Sequence, residues 1–116
     1  MSDDTTIYEK SLEFAVRVVK LQQYLQREKH EYVISKQILR SGTSIGANVR
    51  EAKYGQSRND FTSKMSIALK EVSETEYWLE LLVRTDFLTE EQYRSLRRDC
   101  SEIAKLLTSI VKTLRS

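Results

Sequence analysis

"RSGTSIGANVREAKYGQS", residues 40–57, holds all three glycines of a 116-residue chain that contains no proline. The residues on either side carry helical apolar periodicity, so the stretch is a phosphate-cradling loop, a linker, or a helix built from small residues. Ile34, Ile38, Ser41, Ile45, Val49 and Ala52 keep steps of three and four straight through it, which is one stripe on one helix face. A nucleotide-binding loop needs its glycines followed by Lys-Ser/Thr, between a strand and a helix. "GTSIGA", residues 42–47, has no such lysine and no strand pattern before it. Glycine inside a helix costs roughly 1 kcal/mol relative to alanine. Gly42 and Gly46, one turn apart, therefore imply close approach of a neighbouring backbone. The stretch reads as a tightly packed helix ending near Gly55, with that glycine as its C-terminal cap.

Three further helices surround it. Tyr93, Leu96, Cys100, Ile103, Leu107, Ile110 and Leu114 alternate steps of three and four. "LTEEQY", residues 88–93, supplies a start signal, with Thr89 and Gln92 as a capping box and Leu88 and Tyr93 as a staple. Phe61, Met65, Ala68, Val72, Thr75, Leu79 and Leu82 follow the same rhythm, with Ser57 and Asp60, or Asn59 alone, to cap them. Ile7, Phe14, Val18, Leu21 and Leu25 mark the first helix, whose end near "REKHE" has neither glycine nor proline. The predicted helices span about 6–27, 31–54, 58–84 and 90–115 of a single all-α domain covering residues 1–116.

Composition narrows the function classes. The chain is 40% apolar and 31% charged, too apolar for disorder and suited to long helices. Its apolar runs are too short to span a bilayer, and no secretory pattern follows Met1, so no membrane role is expected. One cysteine forbids an internal disulfide and fits a reducing cytoplasm. A net charge of +2 permits nucleic acid as a partner without demanding it.

"SIGANVREAKYGQSRNDF" (44–61), followed by "SIALKEVSETEYWLELL" (66–82), resembles the family of proteins encoded in intervening sequences of bacterial large-subunit ribosomal RNA genes. It is also similar to the accessory variability protein of diversity-generating retroelements. The family's Ser-Ile…Asn…Glu pattern falls on Ser44, Ile45, Asn48 and Glu51, and its acidic position on the third helix falls on Glu74. This chain has Ala52 where the family often has glycine after the Glu, and Lys70 and Glu71 where it often has Gly-Ser. The resemblance implies an antiparallel up-down four-helix bundle assembled as a ring-shaped homopentamer. It implies no settled activity.

The residues independently point to self-association. "FAVRVV", residues 14–19, spreads apolar side chains around more than half a turn, leaving Val16 and Val19 off the core stripe. Ile67, Trp78 and Leu81 form a second face on the third helix, and surplus apolar surface of this kind marks protein–protein contact. The competing reading is that Trp78 closes a wide core. Ser44, Asn48, Glu51, Glu71 and Glu74 read as polar contacts between helices or subunits; ligand recognition by Ser44, Asn48 and Glu51 is the alternative.

Catalytic and metal readings fail on chemistry. A carboxylate-bridged metal bundle needs Glu-x-x-His on two helices, and the chain has one histidine, His30. Cys100 holds a core position with no basic activator near it in sequence. No enzyme activity, cofactor or metal is expected. Arg94, Arg97 and Arg98 share the outer side of the last helix, and Arg50, Lys53 and Arg58 cluster around the second turn. These six are the nucleic-acid-binding candidates, weighed against a solvated surface balanced by Glu90, Glu91, Asp99 and Glu102. The expected function is a non-enzymatic oligomeric scaffold or accessory protein. Its partners are itself and a protein encoded nearby, one acting on nucleic acid. The alternative is a weak, sequence-indifferent RNA- or DNA-binding ring.

Overall fold

The computed structural model describes residues 3–115, with side chains from residue 6 onward. Four helices account for nearly all of it: α1 Asp3–Arg27, α2 Ile34–Lys53, α3 Arg58–Arg84 and α4 Glu90–Arg115. They form a rod of 44 × 22 × 22 Å. α1 packs on α2 and α4, and α3 packs on α2 and α4, while the diagonal pairs do not meet. Contacts between neighbours run in opposite chain directions throughout. Val18 and Ser11 of α1 meet Gly42 and Gly46 of α2, and Arg17 and Lys10 meet Asp99 and Glu102 of α4. The bundle is therefore antiparallel, up-down-up-down, as short connections favour.

Each apolar stripe turns inward. Phe14, Leu25, Ile38, Ile45, Met65, Leu79, Ile103 and Leu107 are among the fully buried side chains. Ile34, Phe61, Tyr93 and Leu114, at the ends of their stripes, are half-buried because a rod cannot cover its own ends. Buried hydroxyls interrupt the core without orphaning a donor. Thr75 Oγ1 lies 2.9 Å from Ser41 Oγ and donates to Glu71 O at 2.8 Å.

Helix ends follow two local chemistries. Thr89 N–H donates to Gln92 Oε1 (2.9 Å) and Gln92 N–H to Thr89 Oγ1 (3.1 Å), a complete capping box for α4. Asp60 N–H donates to Ser57 Oγ at 3.1 Å and so starts α3. α2 begins at Ile34 rather than at 31, because Glu31 serves as its cap. The Glu31 carboxylate accepts N–H from Val33, Ile34 and Ser35 at 3.2, 3.0 and 2.7 Å. A negative charge at a helix N-terminus answers both the free donors and the dipole.

Gly55 does not act as a left-handed cap. α2 stops at Lys53 with Tyr54 at φ −105°, and no glycine among the described residues has positive φ. Its missing side chain matters for space instead, since a Cβ there would lie 3.2 Å from both Ala52 O and Asp60 Cβ. The left-handed positions are His30 (φ 53°) and Asp86 (φ 68°). Asp86 closes α3 by a Schellman arrangement, with Phe87 N–H to Leu82 O at 2.9 Å and Asp86 N–H to Val83 O at 3.3 Å.

Gly42 and Gly46 carry the α1–α2 contact. A methyl on Gly42 would sit 2.7 Å from Val18 Cγ2, and one on Gly46 would sit 3.3 Å from the Ser11 carbonyl oxygen. Val18 is buried and β-branched, so it has no rotamer into which to retreat. Gly42→Ala is expected to destabilise the bundle even though alanine favours helix by roughly 1 kcal/mol. Gly46→Leu is expected to cost about 1–3 kcal/mol through overpacking. Thermal unfolding followed by circular dichroism checks both, with unchanged melting of either variant contradicting the close approach.

Candidate functional site

Apolar side chains remain on the surface at the turns (Tyr32, Val33 and Tyr54) and on two helix faces. On α1, Leu12, Val16 and Val19 are 55, 49 and 39% exposed. Beside them, Ala15 with Thr43, Gly46 and Ala47 of α2 lines a shallow trough of ≈ 250 Å³. The small α2 residues that permit close helix packing also leave this trough open. Leu12 is absent from the sequence-based candidates, although its position one turn before Val16 placed it on the same stripe.

On α3 the exposed residues are large, and Tyr77 and Leu81 with Glu80 and Arg84 line a shallow depression of ≈ 260 Å³. Ile67 is 40% and Tyr77 59% exposed, and Trp78 and Leu81 are half-buried. Trp78 rests partly on the core and donates Nε1–H to Glu74 Oε2 at 3.0 Å. Tyr77 meets its ring edge-on at 5.0 Å. Tyr77, also missed in the sequence, was signalled only by its adjacency to Trp78. Both apolar surfaces lean toward α2. The first shares a trough with α2, and the second lies on the α3 flank whose carboxylates bind Arg40 of α2.

Arg40 organises the polar residues of that flank. Its Nη1 donates to Glu71 Oε2 at 2.9 Å and its Nη2 donates to Glu74 Oε2. The Arg40 hydrogen bond, helped by the Trp78 indole, holds the Glu74 carboxyl below the usual carboxylate range. Glu51 pairs with Lys64 at 2.7 Å, a second α2–α3 link. Ser44 and Asn48 act differently within the protomer. Ser44 Oγ donates to Arg40 O (2.7 Å) and Asn48 Nδ2 to Ser44 O (2.8 Å), both on their own helix. A short polar side chain in a helix finds the carbonyl one turn back before it finds a neighbour. Arg40 carried no sequence signal, because its partners lie 31 and 34 residues away.

The six basic candidates do not form one patch. Arg58 donates to Leu114 O at 3.0 Å, at the C-terminal end of α4. Lys53 lies 5.6 Å above the Tyr8 ring, and Arg50 lines the α1–α2 trough. Arg94, Arg97 and Arg98 sit about 24–30 Å away along α4, at about 1.5 Å per residue. Arg97 is committed inside the fold: it pairs with Glu76 of α3 and donates Nε–H to Tyr93 Oη at 3.3 Å. Arg94 reaches Glu90 only at 4.0 Å and is exposed, as is Arg98.

Reactive chemistry has no foothold at the remaining candidates. Burial pushes the Cys100 thiol up to about 12, so it is protonated at neutral pH and is a core side chain. His30 is an exposed turn residue with Nδ1 3.3 Å from Tyr32 Oη. Among the described residues no group of three His, Cys, Asp or Glu is placed to hold a metal. No described helix is long and apolar enough to cross a membrane.

Comparison with known proteins agrees with this architecture. The chain is similar to a solved protein of unknown function from the S23 ribosomal protein family of Bacteroides thetaiotaomicron VPI-5482. The two share 61% identity with a TM-score of 0.95, over 96% of this chain and 99% of that one. No curated protein matches. The family described as 23S rRNA-intervening sequence protein matches residues 3–109, which take in α1, α2, α3 and most of α4. The chain belongs to the 23S rRNA-intervening sequence protein family.

Proposed function

We propose that the protein is a non-enzymatic, self-assembling scaffold that presents a ring of identical bundles to a protein partner. One observation carries this reading: two exposed apolar surfaces on different faces of the bundle, the α1–α2 trough and the Ile67–Tyr77 face of α3. A surface that is not its own complement associates head to tail, and a head-to-tail contact closes into a ring when the rotation permits. Both surfaces lean toward α2, so α2 would face the ring axis and α4 the outside. A five-membered ring, the number implied by the family resemblance, needs the two surfaces a little more than a right angle apart. The family's name ties its members to intervening sequences of 23S rRNA, and we read the partner as a protein acting on nucleic acid and encoded nearby.

Sedimentation equilibrium at micromolar concentration is expected to give five times the protomer mass of 13.6 kDa. A monomer contradicts self-assembly. Val16→Glu and Ile67→Glu should each dissociate the ring, because each spoils a different half of the contact. Mixing the two variants should then yield a one-to-one dimer, since one intact trough and one intact α3 face remain. Failure of the mixture to dimerise argues for a symmetric contact instead of a head-to-tail one.

A second reading, weak nucleic-acid binding, draws on the exposed Arg94 and Arg98 and on Arg50, which no ion pair neutralises among the described residues. In a ring such charges repeat on every subunit and add their effects. Binding should then be nearly equal for unrelated sequences. Replacing Arg94 and Arg98 with Ser should lower the salt slope by roughly 0.9 for each phosphate that is no longer neutralised. Arg97 is left intact because it ties α4 to α3 through Glu76. A salt titration with duplex and single-stranded oligonucleotides decides it, and no binding at low salt removes the reading.

A further inference from the structure

The seam between α1 and α4 differs from the other three. These helices pack less closely than any other neighbouring pair, and charged side chains bridge them: Lys10 to Glu102 at 2.7 Å and Arg17 to Asp99 at 2.7 Å. Above the Arg17 bridge, toward the start of α4, the seam widens into a cleft of ≈ 590 Å³. Small-molecule sites fall within about 300–1,000 Å³. The cleft shares no lining residue with the α1–α2 trough and takes none from α3.

Its lining has a consistent polarity. Leu21, Leu88 and Leu96 make an apolar floor. Around that floor stand donors without acceptors. Lys20 has no ion pair among the described residues, and the Tyr24 hydroxyl has no hydrogen-bond partner there. Gln92 spends its carbonyl on Thr89 N–H, which leaves its NH₂ free. Ser95 Oγ accepts from Arg17 Nη2 at 3.0 Å, which leaves its O–H to donate. The Arg17 charge itself is answered by Asp99. Glu91 is the one carboxylate on the lining, and it is exposed.

We propose that this cleft binds a small amphipathic organic anion, with its apolar body on the three leucines and its carboxylate or similar group against Lys20 and Tyr24. An apolar floor holds the body, and a ring of donors selects a ligand made of acceptors. A neutral analogue of the same shape keeps the floor contact and forgoes the charge-assisted hydrogen bond. Lys20 is exposed and Tyr24 half-buried, so conservative changes at either leave the bundle intact.

Equilibrium dialysis with 2-naphthoate and neutral 2-naphthamide tests the proposal on the intact protein. We expect saturable binding of naphthoate, one per protomer, about tenfold tighter than the amide. Lys20→Gln should abolish that preference, and Tyr24→Phe should weaken naphthoate about threefold, with helical content unchanged by circular dichroism. Ile67→Glu, on α3, should leave binding unaltered. Absence of saturable binding at millimolar naphthoate overturns the proposal. So does a preference that survives Lys20→Gln, or binding abolished by Ile67→Glu, either of which places the probe elsewhere.

Discussion

α1 and α2 meet across Gly42 and Gly46, where even a methyl group would press on Val18 and on the Ser11 carbonyl. Much of the remaining architecture follows from that approach. Leu12, Val16 and Val19 lie on the side of α1 turned away from the Phe14–Val18–Leu21 stripe and stay outside. The residues facing them from α2 are small, so the surface there is a trough and not a ridge. On the opposite side α1 stands farther from α4, and long charged side chains span the difference. α1 thus has one tightly packed side and one open, donor-lined seam.

The α2–α3 seam is held by a different principle. Ser41 and Thr75 meet inside the core, while Arg40 with Glu71 and Glu74, and Glu51 with Lys64, meet near the surface. Exposed ion pairs add little stability, typically below about 1 kcal/mol each, so their value lies in register. A sliding of α3 by one turn would unpair the buried hydroxyls and cost the desolvation of each. Glu31 performs a comparable service at the start of α2, where its carboxylate gathers three backbone donors. The exposed faces of the bundle are therefore held in a fixed relation.

Basic residues show how tertiary structure redistributes a sequence cluster. Arg94, Arg97 and Arg98 are neighbours in the chain, yet Arg97 turns to Glu76 and Tyr93 while the other two face solvent. Arg58 is engaged by the Leu114 carbonyl at the end of α4. A charge count overstates what such a surface offers a polyanion, because part of the charge already serves the fold.

Helical periodicity, the Thr89–Gln92 capping box, the Ser57 cap and the need for close approach at Gly42 and Gly46 were all legible in the chain. Each depends on residues within about one turn, or on an absent side chain that only a near neighbour explains. The family resemblance rested on the same stretch. Other features depend on which helix lies beside which. Arg40 finds Glu71 and Glu74, Arg17 finds Asp99, and Leu12 borders an open trough because α2 sets alanine, threonine and glycine beside it. The turns fall between these cases. Glycine preference pointed to Gly55, whereas His30 and Asp86 take the left-handed positions, since a short polar residue such as aspartate tolerates that conformation at modest cost. What sequence determined here is what a helix decides for itself; partners, clefts and free surfaces were decided by packing, because their distances are set by residues far away in the chain.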